Sequence, residues 1–139
     1  METKNRFRIV LIALMSIFIF SLSWASGTGR IFVLDPTPKH PHASGTAVIA
    51  DDHINLQARG LNPEAVYTVW FVNMKPKKSE TDAGSAPYVF KTDQWGNGSY
   101  SAPLDETPLG KWSMVMVVQH PNGDPKDMKN MVGALKAAL

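Results

Sequence analysis

Two stretches of the chain are apolar on both sides of an extended strand, and they constrain the fold more than any other feature. One is Tyr67–Val72, with the sequence Tyr-Thr-Val-Trp-Phe-Val, and the other is Lys111–Gln119, which alternates valine with methionine. Successive side chains of a strand point to opposite faces of its sheet, so a strand that is apolar at both sets of positions is covered on both faces. We therefore expect two central strands, with Trp70 and Trp112 buried in the interior.

Shorter strand patterns surround these two segments. In His53–Arg59 apolar and polar residues alternate, which is typical of a half-buried strand. The preceding residues, Asp51-Asp52, are typical of a hairpin turn. Residues 93–98 form a second turn with two glycines. About seven or eight short strands joined by Pro- and Gly-rich loops are typical of an all-β, antiparallel, two-sheet sandwich.

Met114 and Met116 lie two residues apart on one strand, and we expect them to fill the core of the domain.

The C-terminal segment permits two interpretations. Asp124 before Pro125 is typical of a helix start, and methionine, valine and leucine recur at helical spacing after it. Gly133 weakens a helix, and the alternative is a last strand over residues 130–139. We expect a short helical turn starting near Pro125, followed by an extended C-terminus.

The first 25 residues have the pattern of an export signal. Three basic residues (Lys4, Arg6 and Arg8) precede an apolar run, Ile9–Leu22, and Ser23-Trp24-Ala25 supplies small residues at the two positions that a signal peptidase reads. We expect a signal peptide over residues 1–25 that forms a helix and is removed, and a secreted or periplasmic domain over residues 26–139. The alternative is a retained membrane anchor, but the uninterrupted apolar run is shorter than the roughly 20 residues of a spanning helix.

The absence of cysteine and the balanced charge exclude several classes of function. Without Cys the chain has no disulfide, no thiol nucleophile, no Fe–S cluster and no cysteine-ligated copper. Beyond residue 25 it carries 11 basic and 11 acidic residues, and this balance argues against nucleic acid or an anionic membrane surface as a partner. We expect membrane contact only through the signal segment, if that segment is not cleaved.

Turn and strand residues in the middle of the chain resemble a known family. The pattern Gly60-Leu-Asn-Pro-x-x-x-Tyr67-x-Val-Trp70 is followed by Asp93-x-x-Gly96-x-Gly98 and by Gly110-x-Trp112. This pattern resembles exported immunoglobulin-like domains such as the extracytoplasmic domain of anti-sigma-K-type regulators. The resemblance implies an immunoglobulin-like sandwich. Only eight residues precede the apolar run, so we do not expect the sigma-binding activity here.

Two histidines on a proline-rich loop form the sharpest candidate site for a metal. His40 and His42 lie two residues apart within Asp35–His42, and two imidazoles at this spacing can converge on Cu(II) or Zn(II). Two more histidines, together with Met74, would add ligands if their loops meet (His53 and His120). The alternative is a solvated loop whose histidines bind nothing.

Three exposed segments remain as candidates for contact with a partner. They are the Asp35–His42 loop, a lysine-rich loop over residues 74–87, and Trp95 at a hairpin tip. The lysines of the second segment are Lys75, Lys77 and Lys78. Trp is enriched where proteins anchor a partner. No nucleophile–base motif is present, so we expect a non-catalytic binding or structural protein that needs no cofactor and contacts a protein or cell-envelope partner. A periplasmic copper- or zinc-binding protein is the alternative.

Overall fold

The computed structural model describes residues 29–84 and 88–139, and in this part of the chain the regular secondary structure is entirely β. The predicted signal peptide, residues 1–25, and its helix lie outside the described residues. The strands are β1 (Arg30–Pro36), β2 (Ser44–Ile49), β3 (His53–Arg59), β4 (Val66–Asn73), β5 (Ser79–Asp82), β6 (Val89–Lys91), β7 (Gly98–Pro103), β8 (Met114–His120) and β9 (Val132–Ala138). In these residues the model contains no helix with the length and apolar character needed to cross a membrane.

All strand pairings are antiparallel, and together they form one curled sheet. The hydrogen-bonded order is β5-β4-β8-β9-β1-β2-β3-β7, and β6 pairs with β4. Strand β1 changes partner along its length, because Arg30–Leu34 pairs with β2 while Asp35 and Pro36 pair with β9. The main core therefore draws side chains from both parts of the path, including Leu34, Leu56 and Val117.

The two segments predicted to be covered on both faces are the central strands β4 and β8. The inward-facing residues of both strands are almost fully buried in the main core (Tyr67, Val69, Phe71, Val115 and Val117). The outward-facing residues form a second apolar cluster with its own buried centre (Trp70, Val72 and Val118). This part of the prediction is confirmed, because the second cluster covers the outer face of these strands.

Three predictions about the core are wrong in detail. Trp70 is buried, but it lies in the outer cluster and not in the interior. Met114 and Met116 are half-buried and pack on the outer cluster, on the face opposite the main core.

Trp112 lies before β8 and not within it, because a turn returns the chain there and the backbone N–H of Trp112 donates to Pro108 O at 2.9 Å. Gly110, with a φ of 83°, permits this turn. Trp112 is consequently half-buried at the edge of the main core.

The helical turn expected near Pro125 does not form, while the extended C-terminus is confirmed as β9. Asp124 and Asp127 instead use their carboxylates to accept the backbone N–H groups of Lys126 and Lys129, at 2.9 and 3.0 Å. Such side-chain bonds compete with helix hydrogen bonds and favour turns. The last segment is a strand because β8 pairs along it and β1 pairs with Leu135 and Lys136.

Candidate binding surface

The hairpin between β6 and β7 presents an exposed tryptophan on a closely fixed turn. The carboxylate of Asp93 accepts hydrogen bonds from the backbone N–H groups of Trp95 and Asn97, both at 2.9 Å. The backbone N–H of Asp93 donates to Asn97 O at 2.9 Å, and that of Gly96 donates to Asp93 O at 3.2 Å. The backbone of the turn is therefore held from inside by one side chain, as an Asx turn.

A second element holds the same turn from outside. The backbone N–H of Leu61, in the turn before β4, donates to Gly96 O at 3.1 Å. Gly96 has a φ of 80°, and a Cβ atom there would lie 2.2 Å from Leu61 O. Only glycine fits both this conformation and this close approach. The tip is therefore fixed to the body of the domain.

The side chain of Trp95 points away from this support into solvent. It is 72 % exposed, which confirms that the predicted tip residue lies on the surface. A large aromatic side chain in water is unfavourable, since burying such a side chain is worth on the order of 2–3 kcal/mol. A fixed turn that keeps a tryptophan exposed is a typical arrangement for contact with another molecule.

An open polar groove of about 660 Å³ lies beside this hairpin. Its polar lining comes from β3, β6 and β7 and from the turn itself (Gln57, Arg59, Lys91, Asp93, Asn97 and Ser99). Lys91 has a weak exposed ion pair, with Nζ 3.7 Å from Glu64 Oε2. The groove offers amide, hydroxyl and cationic donors, so it can bind a polar ligand by hydrogen bonds.

The turn before β4 connects this surface to the histidine loop. The hydroxyl of Tyr67 accepts the backbone N–H of Asn62 at 2.9 Å, the arrangement called a tyrosine corner. The same hydroxyl lies 3.2 Å from Nε2 of His40. Gly60 approaches His42 so closely that a Cβ atom there would lie 2.1 Å from His42 O. The histidine loop and the Trp95 hairpin therefore lie at the same end of β4.

The structure places the two predicted metal ligands in different surroundings. His40 is 5 % exposed, and its Nδ1 atom is buried without a hydrogen-bond partner among the described residues. His42 is exposed. Of the two, only His42 is therefore open to solvent, while the unpartnered Nδ1 of His40 is buried. Within residues 29–84 and 88–139 no group of three or more His, Cys, Asp or Glu side chains is placed to hold a metal ion.

The residues that might have added ligands do not join this pair. His53 is exposed and hydrogen-bonded to Asp52 at 2.8 Å, which lowers the pKa of that carboxyl group. His120 is buried on the outer face of β8, opposite the face on which Tyr67 contacts His40. Met74 is exposed and follows the far end of β4.

His120 belongs to a buried chain of hydrogen bonds that the sequence analysis missed. Its Nδ1 lies 3.2 Å from Asp127 O, which can only accept, so the proton resides on Nδ1. The hydroxyl of Thr68 then donates to Nε2 at 2.8 Å and accepts from Trp70 Nε1 at 2.8 Å. This chain attaches the 121–131 segment to the outer face of β4 and β8. One indication of this chain of hydrogen bonds was present in the sequence, because Thr68 is a polar residue inside an otherwise apolar strand.

The lysine-rich loop does not share the surface formed by Trp95. Lys75, Lys77 and Lys78 are exposed, but they follow the C-terminal end of β4, whereas the Trp95 hairpin contacts the turn before its N-terminal end. A strand rises about 3.3 Å per residue, so eight residues separate the two regions by more than 20 Å. The predicted partner-binding residues therefore fall into two groups at opposite ends.

The chain was compared with protein-family models, curated proteins and solved structures, and none of them matches it.

Proposed function

We propose that this chain is an exported, non-catalytic binding domain whose partner contacts the Trp95 hairpin and the groove beside it. The observation that carries the proposal is the exposed indole of Trp95 on a turn held by Asp93 and by Leu61. A rigid aromatic group loses little conformational entropy when a partner covers it, so such residues dominate many binding interfaces. The partner is a protein or another component of the cell envelope.

The proposal includes an exported location and an immunoglobulin-like fold. The basic start, apolar run and small residues of 1–25 support export to the periplasm or the medium, and the absence of Cys fits a domain that relies on packing. An immunoglobulin-like two-sheet sandwich is supported by the change of partner within β1 and by the tyrosine corner at Tyr67. In such sandwiches the loops at one end form shared binding surfaces.

The proposal is tested by capture of partners from a cell-envelope extract by the purified, immobilised protein. We expect Trp95→Ala and Arg59→Gln to lose at least tenfold in captured partner. The matched control is the triple variant Lys75→Ala/Lys77→Ala/Lys78→Ala at the opposite end, which should capture as well as the wild type. If only the triple variant loses binding, the lysine-rich loop is the contact surface and the proposal is wrong. Turnover in a broad hydrolase or oxidase screen would contradict the non-catalytic assignment.

Metal binding by His40 and His42 is the second candidate function. The unpartnered Nδ1 of His40 favours it, since a buried imidazole nitrogen without a hydrogen bond is an unused ligand atom. Titration with Cu(II) and with Zn(II) tests it: binding should disappear in both His40→Ala and His42→Ala. Equal binding by His42→Ala and the wild type would exclude the pair.

A further inference from the structure

Strand β1 combines an exposed apolar surface with a backbone edge that no described strand covers. Arg30–Leu34 pairs with β2 on one side, while β9 pairs only with the following residues, Asp35 and Pro36. Among the described residues no strand pairs with the other side of Arg30–Leu34. The backbone N–H and C=O groups along such an edge form a template for another strand.

The side chains of this segment do not protect its edge. Ile31 and Val33 are 72 % and 69 % exposed, which makes them, with Trp95, the most exposed large apolar residues of the described chain. The two terminal strands of the sheet are different: β5 carries Glu80 and Asp82, and β7 exposes serines and ends in Pro103. Charges and proline are the usual means by which proteins prevent pairing at an edge, and the segment Arg30–Leu34 has only Arg30.

We propose that Arg30–Leu34 pairs antiparallel with the same segment of a second copy of the chain, forming a two-fold dimer. The free segment is five residues long and symmetric about Phe32. Pairing centred on Phe32 sets Ile31 opposite Val33 of the second copy, and Val33 opposite its Ile31. Pairs of β-branched side chains directly across two strands are favourable, so the exposed apolar surface of each copy covers that of the other.

The charges of the segment and the register of the pairing both favour a second copy of the chain in this alignment. Arg30 falls opposite Leu34 of the second copy, next to its Asp35, and no like charges are opposed. A shift by one residue would place the exposed apolar side chains of one copy on the same face as the buried side chains of the other copy. A shift by two toward the C-terminus would set Ile31 opposite Asp35, where the backbone is already occupied by β9. A shift by two the other way would set Val33 opposite Gly29, which has no side chain to cover it. The register centred on Phe32 therefore covers the most apolar surface.

The small size of this contact sets its strength. Five residues from each copy bury less than the about 1,200 Å² that stable interfaces need, so the dimer is weak and depends on concentration. Its dissociation constant should lie in the range of about 10 to 500 µM. The inference is independent of the proposed function, because it uses only Arg30–Leu34, whereas the proposed binding surface is the Trp95 hairpin and the groove lined by β3, β6 and β7.

Sedimentation velocity of the full chain, purified in whatever processed form the host produces, tests the dimer. Between about 1 and 500 µM we expect the wild type to shift from monomer to dimer and no further. Val33→Lys should weaken association at least tenfold. Thr46→Lys, on the neighbouring strand β2 directly across from Val33, is the matched control and should associate like the wild type. A wild type that stays monomeric, or one that grows beyond a dimer, would overturn the proposal.

Cross-linking tests the register, because the chain contains no cysteine of its own. Directly opposed residues have Cα atoms about 4.5–5.5 Å apart, within disulfide reach, while diagonal neighbours lie about 7–8 Å apart. A mixture of Ile31→Cys and Val33→Cys proteins should therefore form mixed disulfide dimers under mild oxidation, at least tenfold more than either variant alone. Equal cross-linking by the single variants would contradict the alignment. Both side chains are exposed in the monomer, so neither substitution threatens the fold.

Discussion

The backbone N–H of Leu61 donates to the carbonyl oxygen of Gly96 at 3.1 Å, and this bond joins the turn before β4 to the hairpin that carries Trp95. The two turns are 35 residues apart in sequence, yet Gly96 approaches Leu61 too closely for any Cβ atom. The exposed tryptophan therefore stands on a support that is itself part of the packed domain.

The first prediction concerns this close approach. Gly96→Ala should reduce the free energy of unfolding by about 3 kcal/mol, because it adds a steric clash with Leu61 to the cost of a left-handed backbone. Gly123→Ala is the matched control: Gly123 has a similar φ of 78° but open space around it, so only the backbone cost of about 1–2 kcal/mol applies. Chemical denaturation of both variants measures the difference. Equal losses would show that the contact with Leu61 contributes nothing.

The second prediction compares two tryptophans. Trp70 is 8 % exposed, packs edge-to-face on Tyr88 at 5.2 Å between ring centroids, and donates its N–H to Thr68. Trp70→Ala should therefore cost about 3–5 kcal/mol in a chemical melt. Trp95→Ala should stay within about 0.5 kcal/mol of the wild type, because its side chain is mostly in water. Easy unfolding of the Trp95 variant would show that this residue supports the fold.

The third prediction concerns the hydroxyl of Tyr67. Tyr67→Phe removes the acceptor for the N–H of Asn62 and the partner of His40 Nε2. Leaving such polar groups unpaired costs about 1–3 kcal/mol of stability, while the ring can still stack on Phe90. Urea unfolding measures this loss. A variant as stable as the wild type would mean that the tyrosine corner does not stabilise the domain.

The fourth prediction concerns alkaline pH. Burial, with a smaller contribution from Asp82, raises the pKa of Tyr100 to about 12. Above pH 10 the unfolded chain loses this proton while the folded chain keeps it, so stability falls between about pH 10 and pH 12, by about 2 kcal/mol. Tyr100→Phe should be less stable at pH 8, since Ala83 O loses its hydrogen bond, but its stability should depend less on pH in this range. An unchanged slope would contradict the assignment.

The fifth prediction concerns processing. The residues Ser23-Trp24-Ala25 place the cleavage site after Ala25, so the exported protein should begin at Ser26. Intact-mass spectrometry of protein from the periplasm or medium measures this. A membrane-bound species that retains residues 1–25 would instead support a permanent anchor.

Alternating patterns in the sequence were sufficient to locate the strands that matter most. His53–Arg59 alternates buried and exposed residues along its whole length, as predicted, and β4 and β8 are covered on both faces. The exposed Trp95 also followed from local sequence, because a six-residue turn between strands leaves its central side chain outside the sheet. These features depend on residues close together in the chain, which is why they can be inferred without the fold.

Other features were decided by contacts between distant residues. The C-terminal segment is a strand because β8 and β1 lie beside it, although its spacing also fits a helix. Met114 and Met116 face the outer cluster because Trp70 and Val72 lie across from them, which no pattern within β8 reveals. The edge of Arg30–Leu34 that no described strand covers follows only from the order of the strands. The separation of the lysine-rich loop from Trp95 follows only from the contact between the Trp95 hairpin and the turn before β4. The sequence alone therefore determined the strands with a clear alternating or two-sided apolar pattern and the tight turn that carries Trp95. Tertiary structure decided which faces and edges remain exposed, because exposure depends on what packs alongside.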